Sequence, residues 1–184
     1  MDTGRTLNLS TDSTTDIAPG LRMPAAAPRS GSLYTPEQRR RRDASRWTVW
    51  QGVLAPLQLL ACLVSIALVS RWLATGAGGE LATASVLLKT ALLIIIMWTG
   101  CLWEHDVYGK YLFAPAFFWE DMVSMFVISA HVLYLFLWLT GAALTLQFQV
   151  ALVAYSLYLV NAAQFLLKLR AARRSAALED ASAA

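Results

Sequence analysis

The chain has little of what a soluble domain is built from. Charged residues fill 15% of its 184 positions, where soluble domains average about 25%. With 57% hydrophobic residues and a mean hydropathy of +0.50, an ordinary water-soluble fold is excluded. Cysteine is nearly absent. Cys62 and Cys101 both lie inside apolar runs, and neither has a second Cys at metal-ligand spacing. Neither a disulfide framework nor a metal site is therefore expected, and both thiols read as small apolar packers. No nucleotide-binding motif occurs. Residues 1–33 contain no apolar h-region of a signal peptide, so the first apolar run is expected to drive insertion itself.

What is there instead is four long apolar runs: Trp50–Ala74, Leu81–Trp103, Met122–Thr140 and Leu146–Leu169. Each is close to the roughly 20 residues a helix needs to cross the hydrocarbon core. Unpaired backbone is prohibitive in lipid, and the runs are too long for barrel strands, so the expected fold is all-α, a bundle of four transmembrane helices. Short turns at Gly76–Gly79 and Gly141 make sequential neighbours antiparallel. The membrane domain spans residues 34–174, between tails at 1–33 and 175–184 that are expected to be disordered. The first tail is rich in Ser, Thr, Pro, Gly and Ala and cannot bury enough surface to offset its ordering entropy. Thr35, Pro36 and Gln38 mark the start of a short basic helix along the membrane surface.

The formal charge is +3, but its placement says more. Arg39, Arg40, Arg41, Arg42 and Arg46 precede the first run, Lys110 lies in the middle loop, and Lys168, Arg170, Arg173 and Arg174 end the last run. Basic clusters flanking apolar spans point to topology, not to nucleic acid. By the positive-inside rule both termini and the 104–121 loop are expected to be cytoplasmic, in a multi-pass protein of a bacterial inner membrane.

Each run carries polar residues on one face. Gln51, Gln58, Cys62 and Ser65 share a face of the first; Lys89 lies near mid-depth in the second; Glu120, Ser124 and His131 align in the third; Asn161, Gln164 and Lys168 align in the fourth. A polar seam inside the bundle follows. Its plain explanation is interhelical hydrogen bonding, worth about 0.6 kcal/mol per contact. His131 is open to a structural or a functional reading.

Between the second and third runs lies EHDVYGKYLFAPAFFWED, residues 104–121. It sets Glu104, Asp106, Glu120 and Asp121 beside His105, Lys110 and a dense group of aromatic rings. Such charges are costly in lipid unless they sit at the boundary or face a cavity. Acid–base groups beside a wide aromatic surface suit a flat, apolar ligand, although an interfacial aromatic girdle would look similar.

Three segments, LYTPEQRRRRDAS (33–45), YLFAPAFFWEDMVS (111–124) and NAAQFLLKLRAAR (161–173), resemble the 2-vinyl bacteriochlorophyllide hydratase family. The likeness runs from about Leu33 to Arg174. It implies a hydro-lyase of bacteriochlorophyll synthesis that adds water across the C3 vinyl group of chlorophyllide a, or a related bacteriochlorophyllide, giving a 1-hydroxyethyl group. No cofactor is implied, since hydration moves no electrons and the magnesium belongs to the substrate. The implied partners are that chlorin, the lipid bilayer and other pigment-synthesis enzymes, with no nucleic acid. Two other readings are a non-catalytic tetrapyrrole scaffold and a transporter subunit; no internal repeat supports the last.

Adding water to a conjugated vinyl group requires an acid for the terminal carbon, a positioned water and exclusion of bulk solvent. A carboxyl group in an apolar setting can hold its proton near neutral pH. The candidate acid is Glu120, which shares a face with Ser124 and His131. Glu104 or His105 would orient or deprotonate the water, with Asp121 and Asp106 in reserve. His105 or His131 would ligate the substrate's magnesium, and Lys110 or the arginines would meet its propionate. Tyr108, Tyr111, Phe113, Phe117, Phe118 and Trp119 would cover the macrocycle.

Overall fold

The structure is a computed structural model that describes residues 33–183. The expected tail at 1–33 falls, except for Leu33, outside the described residues. The described chain is all-helical: α1 (Pro36–Ala44), α2 (Arg46–Thr75), α3 (Gly79–Tyr108), α4 (Phe118–Leu139) and α5 (Leu144–Ala183). The last four are long and apolar enough to cross a membrane.

The helix ends follow from local chemistry. Thr35 Oγ1 accepts from the Gln38 amide at 3.2 Å and Gln38 Oε1 accepts from the Thr35 amide at 2.9 Å, closing a reciprocal capping box around Pro36. Ser45 then breaks the helix. Its extended backbone ends α1 and its hydroxyl caps α2, accepting from the Trp47 amide. Gly76 and Gly109, at φ +72° and +74°, end α2 and α3 in the left-handed conformation that glycine tolerates best.

Two boundaries differ from expectation. Helix α3 runs five residues past Trp103, so Glu104, His105, Asp106 and Tyr108 are helical and the connecting loop shrinks to residues 109–117. Helix α5 continues through the segment expected to be a tail, to Ala183. The sequence there, AARRSAALEDASA, is rich in alanine, the strongest helix former.

α2 packs along α3 and α4 along α5; α2 and α5 join the two hairpins, while α3 and α4 touch only sparsely. Cys62, Val86, Val127, Phe148 and Tyr155 are among the residues at the centre. The expected polar seam is internal: Gln58, Ser65, Lys89, Ser124, His131 and Asn161 are all buried. Ser65 bonds Tyr155 at 2.6 Å and Asn161 Nδ2 donates to Ser124 at 2.8 Å, so these stripes do join helices. Large apolar side chains such as Leu60, Leu88, Phe126, Phe136 and Leu167 face outward instead. That inversion suits a lipid solvent. Residues 109–117 and the outer ends of α1 and α5 share one end of the bundle, hereafter the basic end.

Candidate active site

The acid–base groups gather where α3, α4 and the 109–117 loop meet. Glu104, on the last turns of α3, and Asp121, on the first turn of α4, are 4% and 7% exposed. Their carboxyl groups come close enough to interact directly. An ionised carboxylate only accepts, so two carboxyls can hydrogen-bond to each other only when one of them carries a proton. The loop folds over the pair. The Phe113 amide donates to Asp121 Oδ2 at 2.8 Å, and the next amide, Ala114, donates to Glu104 Oε1. Phe113 has φ +58°, rare for a bulky side chain. That left-handed residue turns two successive N–H groups toward one anionic site, the geometry of a backbone nest.

Glu120 is also buried, but in a different setting. Lys168 Nζ approaches its Oε2 at 2.6 Å, also donates to the Ala116 carbonyl, and lies 4.8 Å from the centre of the Phe117 ring. The remaining polar candidates are elsewhere. His105 is exposed and stacks on Tyr111 with ring centroids 4.2 Å apart. Asp106, also exposed, accepts from Ser45 Oγ at 2.7 Å and so ties the α1–α2 break to α3. Lys110 is exposed.

The aromatic residues divide. Tyr108 and Phe117 turn inward and meet Trp103 and Phe165, with Phe117 and Phe165 stacked at 5.8 Å. Tyr34 stacks against Tyr108 from the α1 side, and its burial pushes its phenol above the ordinary range despite the Arg42 guanidinium beside it. Tyr111, Phe113, Phe118 and Trp119 face outward, Trp119 being 72% exposed. Those four suit an interfacial girdle better than a ring-covering surface.

Along the thin contact between α3 and α4 runs an apolar groove of about 300 Å³. Thr90, Leu93, Met97 and Cys101 line one wall, and Met125, Ile128, His131 and Leu135 the other. Leu112 of the loop closes its basic end, where Cys101 lies within the field of Glu104 and Asp121. His131 is 2% exposed. Its Nδ1 is 2.8 Å from the Val127 carbonyl, which can only accept, so Nδ1 carries the hydrogen and Nε2 presents a lone pair. Nε2 has no partner among the described residues. A larger depression of about 540 Å³, beside Gly79 and Leu144, is at the opposite end, far from these groups. Among the described residues no three His, Cys, Asp or Glu side chains converge as metal ligands.

The sequence picks out Glu104 and Asp121 but not their pairing, and it does not join Lys168 to Glu120. The 3.6-residue spacing of Asn161, Gln164 and Lys168 was the available signal for the latter.

Residues 34–171 match the family model of 2-vinyl bacteriochlorophyllide hydratase. The chain belongs to that family. A relative described as 2-vinyl bacteriochlorophyllide hydratase in Rhodobacter capsulatus is 56% identical over 154 residues, covering 84% of this chain and 90% of the relative. One of the same description in Cereibacter sphaeroides is 58% identical over 141 residues, 77% of this chain and 88% of its own length. No solved structure matches the chain.

Proposed function

We propose that the chain is a hydro-lyase that hydrates the C3 vinyl group of a chlorophyllide-type chlorin in bacteriochlorophyll synthesis, with Glu104 and Asp121 as its acid–base pair. The family membership supports the reaction. The observation that carries the site is the contact between these two carboxyls at the end of the α3–α4 groove.

The pair serves as acid and base in turn. The carboxyl holding the proton delivers it to the terminal vinyl carbon, forming the new C–H bond. The cation at the adjacent carbon is delocalised into the macrocycle. Water bonds to that carbon and gives its proton to the carboxylate, which restores the pair to one proton and leaves the alcohol. The Phe113 and Ala114 amides stabilise the negative charge left when the proton departs. Glu120 is a weaker choice as acid, because its carboxylate is already engaged by Lys168 at 2.6 Å, on the α5 side of the helix.

The chlorin enters laterally from the bilayer through the apolar groove. His131 Nε2, as a neutral lone pair in the groove wall, is the better candidate for axial ligand to the substrate's magnesium. His105 already stacks on Tyr111 outside it. The propionate meets Lys110 or the arginines at the basic end, which we place in the cytoplasm with both termini, in a bacterial inner membrane. Basic residues flanking the apolar helices support that placement. Other pigment enzymes would supply the substrate and take the product.

Exchanging Asp121 for asparagine tests the site. Asp121→Asn keeps size and an oxygen acceptor for the Phe113 amide but removes one titrating carboxyl. Turnover is expected to fall by at least about 100-fold, the lower range for a lost acid–base group. Wild-type turnover in correctly inserted protein overturns the assignment.

A further inference from the structure

Beyond the carboxyl pair, the reaction needs a water molecule that is held and aimed. Three buried amide oxygens have no partner among the described residues: Gln147 Oε1 near the start of α5, and Asn161 Oδ1 and Gln164 Oε1 toward the basic end. The last two are three residues apart on α5, so they lie one above the other on one face with Cβ atoms about 5–6 Å apart. Asn161 is 9% exposed, and its amide is oriented by the Nδ2 donation to Ser124 Oγ at 2.8 Å. Ser124 is one turn along α4 from Asp121, so Asn161 is held one turn deeper than that carboxyl, and both acceptor oxygens are shielded from solvent.

We propose that Asn161 and Gln164 hold the reacting water. The inference rests on the hydratase reading above. A water that shares one O–H between these two oxygens keeps its other O–H for the carboxylate and turns a lone pair away from α5, toward the interior where the vinyl carbon must sit. The spacing suits the bridge, since each hydrogen bond spans about 2.8 Å. One turn nearer the basic end, the Lys168–Glu120 pair, with the lysine side chain 24% exposed, provides a polar path from the solvent. Pigment and water then approach separately, the pigment through the lipid-facing groove and the water between α4 and α5. Asn161 and Gln164 are positioning residues, because they act on the water and not on the chlorin.

The test uses the full chain in lipid nanodiscs. Asn161→Leu and Gln164→Leu remove one acceptor each at similar volume, and Gln164→Glu retains it. Each leucine variant is expected to lose at least about tenfold in kcat, the order expected when a reactant is misplaced. KM for the pigment should stay unchanged, and Gln164→Glu should keep most of the rate. Wild-type kcat in both leucine variants overturns the proposal. A second measurement needs neither variants nor turnover: radiolytic hydroxyl labelling in oxygen-18 water. Tyr158 and Phe165, flanking the site on α5, should label faster than the outward-facing Phe126 and Phe136 of α4. Equal labelling of the two sets also overturns it. If the flanking residues label but no chlorin is hydrated, the water site stands and the hydratase reading fails.

Discussion

Asp121 takes the Phe113 amide at 2.8 Å and contacts Glu104, so one side chain shapes the loop and forms half of the proposed acid–base pair. Separating these roles calls for paired substitutions. Glu104→Gln and Asp121→Asn each retain an acceptor for a loop amide, so the fold should survive while kcat drops by at least about 100-fold. Glu120→Gln should cost less, because it alters an ion pair and not the proton donor. A larger loss from Glu120→Gln than from either of the others would return the acid role to Glu120. The pair also fixes the sign of the pH response. Its reactive form carries one proton, so kcat/KM should fall as pH rises and that proton is lost. Little of this was legible in the sequence. Both carboxylates stood out in an aromatic stretch, but seventeen positions separate them in the chain, and their meeting depends on how far α3 extends and how the loop folds back. Glu120 looked the better acid because its face leads to His131. Its partner Lys168 lies 48 residues away.

The 109–117 loop is held at both ends by different means. Gly109, at φ +74°, ends α3, while the Lys168 ammonium fixes the Ala116 carbonyl and faces the Phe117 ring. Gly109→Ala places a Cβ in left-handed backbone and should destabilise the protein by about 1–2 kcal/mol, read as a lower melting temperature in detergent. Nothing within 4 Å would meet the new Cβ, so the loss would come from backbone conformation and not from a clash. An unchanged melting temperature would mean that the loop turns without that conformation. The long helices were legible because lipid demands long apolar runs, and the capping box at Thr35–Gln38 was legible because its residues are adjacent in sequence. The extra turn of α3 was not, since Glu104, His105 and Asp106 look like loop residues when hydropathy alone is read.

At the scale of the whole molecule, apolar side chains point outward and the polar seam is enclosed, which requires a lipid solvent on the outside. The proposed topology puts both termini and the 109–117 loop on one side. With Cys62 and Cys101 replaced by alanine, single cysteines introduced by Arg40→Cys, Lys110→Cys and Arg173→Cys should react with an impermeant thiol reagent only from the cytoplasmic side, and one introduced by Ala77→Cys only from the other. Any of the first three labelling with Ala77→Cys would refute the arrangement. The central claim is that this bundle adds water to a vinyl group and does not merely hold the pigment. The most direct measurement incubates the inserted protein with chlorophyllide a in oxygen-18 water and follows both the absorption spectrum and the product mass. The expected result is a blue-shifted red band, from loss of vinyl conjugation, together with one labelled oxygen in the product. Pigment that binds and is recovered with its vinyl group intact would contradict the claim and leave a tetrapyrrole scaffold in its place.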